Sequence, residues 1–172
     1  MSITYGFFNA EYNNGAYDRK YTADQFAEVF ASIIGNGLSL TYENCFKVVP
    51  YSGLTIQILP GLAWIEGYWA KNSARFSLSV AAAPSQGYRQ DLVVLRFNRS
   101  DRSIIPMIIT GSVSETPQSN TPSYTRTPSQ YDLVLAAINF TAGDSEITES
   151  MIDDLRGDPK YCGLITTIAD LT

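Results

Sequence analysis

The stretch PGLAWIEGYW, residues 60–69, begins with a Pro-Gly turn and holds two tryptophans and a tyrosine. Its aromatic and aliphatic residues around small turn residues predict a strand pair. The aromatic side chains could form a platform for sugar rings, or they could fill a core or a subunit interface. Along one strand Trp64 and Trp69 face opposite sides, so a shared platform needs a bulge at Gly67. This geometry favours the packing role.

Short strand patterns continue on both sides of this stretch. They are CFKVVPYSG and LTIQILPG before it, and ARFSLSVAAA, the hairpin DLVVLRFNRSDRSIIPMIITG and YDLVLAAINFTAG after it. Short strands separated by frequent turns are typical of antiparallel sandwiches and barrels. We therefore predict an α+β, mainly β fold: an antiparallel β-sandwich or barrel-like domain over residues 45–143, with an N-terminal helix and a short C-terminal helix.

A helix is predicted over residues 23–34, within a helical segment 22–37. Apolar residues recur at helical spacing in TADQFAEVFASIIGNG, Thr22 and Gln25 match a capping box, and Gly35 offers a stop. Residues 1–21 have no periodicity and are predicted to be an irregular segment that packs onto something else.

Two further segments complete the predicted organisation. Residues 111–131 hold three prolines among Ser, Thr and Gln, which predicts a long loop that is functional or mobile. Residues 144–172 are predicted to be a C-terminal helical segment, which a stalk could follow.

The composition excludes several classes of function. The net charge of −5 argues against nucleic acid, because phosphate binding needs clustered Lys and Arg. No basic and apolar leader and no long apolar stretch is present, so we expect neither export by a signal peptide nor membrane insertion. The chain has no histidine, which removes Ser-His-Asp catalysis and His-ligated zinc. We predict no enzymatic activity, no catalytic residues and no cofactor.

The remaining candidate sites have ordinary structural interpretations. Cys45 and Cys162 lie far apart and are expected to be buried free thiols. The stretch YDRKY, residues 17–21, could be a docking patch or a solvated turn with an Asp18 ion pair. The acidic residues of the C-terminal segment could bind a cation, but dipole compensation and solvation are favoured, and no metal site is predicted. They are Asp144, Glu146, Glu149, Asp153, Asp154 and Asp158.

The order of these features resembles phage tail and baseplate structural proteins of Gram-positive hosts. The resemblance rests on YGFFN, DRKYTADQFAEVFASIIGNG, VVPYSGLTIQILPGLAWIEGYW, RQDLVVLRFNRSDRSI, YDLVLAAINFTAGDSEITESMIDDLR and CGLITTI, in this order. The similar regions are the N-terminal parts of receptor-binding or baseplate proteins.

The resemblance implies a structural component of the virion tail, assembled in the bacterial host cytoplasm, that contacts other tail proteins and forms a homo-oligomer, most often a trimer. Our candidates for the assembly contacts are Tyr5, Phe7, Phe8, Tyr17, Arg19 and Tyr21. One rival is a carbohydrate-binding module for host cell-wall glycan, with Trp69 and Tyr124 as ligand contacts. A second rival is a carboxylate-based glycosidase, for which no local acidic pair stands out.

Overall fold

The computed structural model describes residues 6–117 and 119–165, and over these residues the protein is mainly β with one α-helix. In chain order the elements are β1 (Tyr12–Asn13), β2 (Ala16–Tyr17), α1 (Ala23–Ile33), β3 (Gly37–Ser39), β4 (Val48–Ser52), β5 (Thr55–Ile58), β6 (Gly61–Ile65), β7 (Tyr68–Asn72), β8 (Phe76–Ser79), β9 (Tyr88–Asn98), β10 (Ser103–Ile109), β11 (Gln130–Thr141), β12 (Ile152–Asp154) and β13 (Leu164–Ile165).

The strands form three larger sheets and one small hairpin. The strand orders are β10-β9-β11-β12, β13-β3-β6-β7 and β4-β5-β8, and β1 pairs with β2. All pairs are antiparallel except β13 with β3. The outer strands of each sheet have a single neighbour, so the sheets surround the core without closing into a barrel. The predicted mainly β, α+β class is confirmed.

One apolar core joins the three larger sheets. Its fully buried side chains include Leu38 of β3, Ile56 and Ile58 of β5, and Ile65 of β6. Alternate residues of β9 and β11 supply the opposite wall, among them Leu95. Burial of aliphatic side chains from every sheet is the main source of stability, at about 25 cal/mol per Å² of apolar surface.

The other face of β9 and β11 is buried as well. Leu92, Val94, Val134 and Ala137 form a second apolar cluster there. The loop that follows β10 covers this cluster with Tyr124. The predicted loop over 111–131 is therefore a cover for a sheet, and its last two residues already belong to β11.

A β-bulge lets β11 serve both clusters. Leu133 and Val134 pair with Leu95 and Val94, and Ala136 then pairs with Val93, so Leu135 is the extra residue. Such a bulge re-aims the side chains that follow it. In this strand it keeps apolar residues directed into both clusters.

Two buried ion pairs fix the loop to the sheet. Asp132 is fully buried and accepts two hydrogen bonds from Arg96, at 2.7 and 2.8 Å, and one from the Thr125 backbone N–H at 2.9 Å. Asp91 is fully buried beside Arg89 and accepts from the Gly111 N–H at 2.9 Å. The hydrogen bonds that Arg96 donates to Asp132 raise the pKa of Arg96, so the charged form of this pair is favoured.

The opening stretch of the sequence forms the β6–β7 hairpin. Glu66 and Gly67 both have positive φ, 52° and 76°, which is the requirement of a two-residue type I′ turn. A Cβ atom at Gly67 would lie 1.8 Å from the Ala27 carbonyl oxygen, so only glycine allows α1 to sit on this turn. Asn36 and Glu66 add two hydrogen bonds of 2.7 Å between the chain after α1 and the turn.

The hairpin corrects the expectation that the two tryptophans lie on opposite faces. Trp64 and Trp69 are directly opposite each other in the β6–β7 register, and cross-strand partners share a face. The alternation rule holds along one strand, but the chain reverses direction at Glu66 and Gly67.

Other predicted boundaries also change. The helix over 23–34 is confirmed to within one residue, although the wider segment 22–37 includes the start of β3. Residues 1–21 contain the β1–β2 hairpin. The predicted C-terminal helical segment is wrong over its described part, 144–165, where only Glu149–Met151 form a 3-10 turn and β12 and β13 follow; residues 166–172 lie outside the described residues. Ile152–Asp154 are extended because they pair with β11, and Asp153 accepts a hydrogen bond from Asn139 of that strand.

Replacing Asp132 with Asn should destabilise the protein by about 3–5 kcal/mol, because it leaves Arg96 half-buried without its counter-charge. Chemical unfolding of the variant measures this loss. The control is Glu149→Gln, which breaks the exposed ion pair with Lys47 and should change stability by less than about 1 kcal/mol. Equal effects of the two substitutions would contradict the assigned role of Asp132.

Replacing Gly67 with Ala should lower the free energy of unfolding by more than about 1 kcal/mol, since the new methyl group meets Ala27 at a positive φ. The matched control is Gly53→Ala, where φ is also positive at 52° but no atom lies within 4 Å of the new Cβ. Urea unfolding followed by circular dichroism compares the two variants. A similar loss in both would mean that backbone strain, and not contact with α1, is responsible.

Candidate functional site

The helix α1 presents an apolar face that the described chain covers only in part: Phe30 packs against Trp64, with ring centroids 5.5 Å apart, and Phe26 packs against Phe7. Its N-terminus is fixed by the predicted capping box between Thr22 and Gln25. Ala27 is its only fully buried residue, whereas Phe26, Phe30 and Ile33 are 40%, 39% and 70% exposed. These three residues are spaced to share one face of the helix.

The predicted assembly residues join this face. Phe7 contacts Tyr21 and Phe26, with ring centroids 5.9 and 5.7 Å apart. The Tyr21 hydroxyl accepts from the Phe8 N–H at 2.9 Å and donates to the Phe8 carbonyl at 3.2 Å. A groove of about 290 Å³ lies between this segment and α1. Four predicted residues, Phe7, Phe8, Arg19 and Tyr21, are thus brought together.

Tyr17 lies in the neighbouring β1–β2 hairpin. Its ring meets that of its cross-strand partner Tyr12 edge-on, with centroids 5.2 Å apart, and both side chains are more than half exposed. Tyr5, the remaining predicted contact, lies outside the described residues. We call the exposed apolar side chains of this region the N-terminal aromatic surface; they are Phe7, Phe8, Tyr12, Tyr17, Phe26, Phe30 and Ile33.

In YDRKY, Asp18 and Arg19 form the ion pair expected of a solvated turn. Arg19 donates to Asp18 at 2.9 and 3.0 Å, and this hydrogen bond lowers the pKa of Asp18. The Arg19 guanidinium also lies 5.9 Å from the ring centroid of Phe8. The pair therefore borders the aromatic surface without placing an uncompensated charge on it.

A cleft of about 600 Å³ opens between the start of α1, the strand β7 and the β9–β10 turn. Trp69 lines it and is 61% exposed. Its other lining side chains include Asp24, Lys71, Arg99 and Arg102. We call this the Trp69 cleft.

One wall of the Trp69 cleft is a hydrogen-bonded cluster. The Tyr68 hydroxyl and the Arg99 guanidinium both donate to the Asp24 carboxylate, the latter at 3.1 Å. Tyr68 stacks on Phe97 at 5.2 Å, and Arg99 lies over the Tyr68 ring at 5.5 Å. The bond to Asp24 and desolvation raise the pKa of Tyr68, so its phenol stays protonated.

Tyr124, the second predicted ligand contact, does not line this cleft. Its hydroxyl donates to the Lys160 carbonyl at 3.1 Å, and its ring packs against Tyr161 in the second apolar cluster. Sequence reasoning predicted Trp69 but missed Asp24, Arg99 and Arg102 as its neighbours, because these residues lie far apart in sequence and meet only in the folded chain. The one local signal is Lys71, two positions after Trp69 on the same strand.

The described part of the chain shows no cluster of metal-ligating side chains, and its two thiols are buried. Over residues 6–117 and 119–165, no three His, Cys, Asp or Glu side chains are grouped so that they could hold a metal ion. Cys45 and Cys162 are buried free thiols, as predicted. Burial raises the pKa of Cys162 to about 12 and also raises that of Cys45, so neither provides a thiolate nucleophile near neutral pH.

Comparisons with family models, with known proteins and with solved structures gave no match to this chain. Residues 6–117 and 119–165 include no helix long and apolar enough to cross a membrane. The geometry of the aromatic surface and of the Trp69 cleft is thus the basis for a functional proposal.

The two cysteines should not react with Ellman's reagent in the native protein at pH 8, because both are buried and protonated. Both should react after unfolding in denaturant. Absorbance of the released thiolate measures the two states, and rapid release of one equivalent from the native protein would contradict the burial described above.

Proposed function

We propose that this protein is a non-enzymatic building block that assembles with copies of itself as a structural component of a phage tail baseplate or fibre. The observation that carries the proposal is the N-terminal aromatic surface. The order of sequence features that resembles tail and baseplate proteins supports the phage context and favours a trimer.

The size of the aromatic surface supports assembly. Its seven side chains are 39% to 70% exposed, and at about 150–250 Å² per large side chain they expose roughly 800 Å² together. The largest apolar patch of a typical monomer is about 300–600 Å², whereas a stable interface buries about 800 Å² on each partner. The surface is thus large enough for one subunit contact.

The charge of this region suits contact with a second copy. Asp18 pairs with Arg19, and Asp24 pairs with Arg99, so two of the carboxylates near the surface are already compensated. These two ion pairs lower the charge repulsion between two approaching copies. Closed symmetry would repeat this contact around an axis, as a tail component requires.

A second candidate function is a carbohydrate-binding module for host cell-wall glycan. The exposed Trp69 in its cleft favours it. Assembly and glycan binding would use different surfaces, so the two functions are compatible.

Light scattering coupled to size exclusion, at several concentrations, tests assembly. We expect a mass that is a multiple of the 19.0 kDa chain. Ile33→Glu combined with Phe7→Ser should shift the mass to that of a monomer, because both substitutions remove exposed apolar area from the interface.

The matched control is Tyr51→Ser, which removes a side chain that is 65% exposed on β4, outside the N-terminal aromatic surface. This variant should keep the oligomeric mass. A wild-type monomer at all concentrations, or equal loss of mass with the control, would overturn the proposed assembly contact.

A further inference from the structure

Positive charge is concentrated in the Trp69 cleft of an otherwise acidic protein. Lys71, Arg99 and Arg102 line it, and among its described lining residues Asp24 is the one carboxylate. The whole chain carries a net charge of −5. An excess of two positive charges at one cleft therefore opposes the overall charge and favours an anionic ligand.

Two of these cations have no counter-charge within the described residues. Arg99 is held by Asp24 and by the Pro128 carbonyl, at 3.1 and 3.3 Å. Lys71 and Arg102 are exposed, and neither side chain forms an ion pair or hydrogen bond with residues 6–117 or 119–165. Their charged groups are thus available to a ligand.

The backbone at Arg102 is in a conformation that suits glycine or asparagine better than arginine. Its φ of 50° lies in the left-handed region, which costs about 1–2 kcal/mol for other residues. Non-glycine residues in this region are concentrated at functional sites. The strained turn directs the chain from β9 into β10 along the rim of the cleft.

The strand β7 contributes backbone groups to the same cleft. It is the outer strand of its sheet, with β6 as its neighbour. Ile65 and Tyr68 flank the two-residue turn and exchange both backbone hydrogen bonds. Bonded and non-bonded pairs alternate along an antiparallel ladder, so the N–H and C=O groups of Trp69 and Lys71 point away from β6. These groups can bond to hydroxyl or anionic oxygens of a ligand.

One wall of the Trp69 cleft is held by hydrogen bonds. Tyr68 and Arg99 both donate to the Asp24 carboxylate, and Tyr68 stacks on Phe97. A preformed wall lowers the ordering cost of binding. The volume of about 600 Å³ lies within the range of small-ligand sites.

We propose that the Trp69 cleft binds an anionic saccharide, with a sugar ring against the Trp69 indole and its carboxylate or phosphate group between Lys71 and Arg102. The aromatic face receives the apolar face of the ring, and the two cations provide charge-assisted hydrogen bonds. The preference for an acidic sugar rests on the glycan-binding function proposed above as the second candidate, and it does not depend on assembly.

The test is an NMR titration of ¹⁵N-labelled protein with three probes: trigalacturonic acid, glucose 1-phosphate and a neutral galactose trisaccharide. We expect an anionic probe to shift the Trp69 indole and the backbone amides of Trp69 and Lys71. The comparison of the first two probes distinguishes a carboxylate from a phosphate ligand. Absence of binding by both anionic probes, or equal binding of the neutral one, would overturn the proposal.

Variants assign the binding to named side chains. Lys71→Gln, Arg102→Gln and Trp69→Ala should each weaken binding of the anionic probe by about tenfold or more, the effect of a lost charge-assisted hydrogen bond or ring contact. The matched control is Arg75→Gln, which removes an exposed guanidinium bonded to Gln57 at 3.2 Å and absent from the cleft lining. An equal loss in this control would mean general charge attraction and would overturn the site.

The oligomeric mass of the cleft variants separates this proposal from the assembly proposal. Lys71→Gln and Trp69→Ala should keep the wild-type mass, whichever oligomer that is. If either changed the mass, the cleft would be a subunit contact and the saccharide site would be wrong. A wild-type protein that binds the saccharide but is a monomer at all concentrations would instead overturn only the proposed assembly.

Discussion

Burial of both faces of the β9–β11 pair is the constraint on which the rest of the structure depends. One face lies in the core shared by the three larger sheets, and the other needs a cover of its own. The long loop after β10 provides that cover, and the carboxylates of Asp91 and Asp132 bond to its backbone. The buried charges are tolerated because each has an arginine and further donors beside it.

The close approach of α1 to the β6–β7 turn decides where the helix lies, and with it both candidate sites. Ala27 packs against Gly67 and Phe30 against Trp64, while Phe26, Phe30 and Ile33 keep 39% to 70% of their surface exposed. The same placement sets Asp24 beside Tyr68 and Arg99 and closes one side of the Trp69 cleft. The aromatic surface and the cleft are therefore two consequences of one helix position.

The two surfaces differ in chemistry and so in the partners they suit. The aromatic surface is apolar and is bordered by the Asp18–Arg19 ion pair, which favours burial against another protein. The cleft is partly polar, has a hydrogen-bonded wall and holds two cations without an ion pair among the described residues, which favours a small or extended anionic ligand. A tail component that assembles through one surface and contacts a glycan through another would need this separation, because assembly must leave the ligand site open.

The sequence by itself determined the mainly β class, the helix with its capping box, the β9–β10 hairpin and the burial of both thiols. Each follows from local periodicity, turn residues or hydrophobicity, which act over a few neighbouring positions. Long-range packing places Trp64 and Trp69 on one face, sets Tyr124 over a sheet and makes strands of Ile152–Asp154 and Leu164–Ile165. It also decided that Asp24, Lys71, Arg99 and Arg102 meet at one cleft. Those outcomes depend on contacts between residues far apart in sequence, which local pattern does not encode.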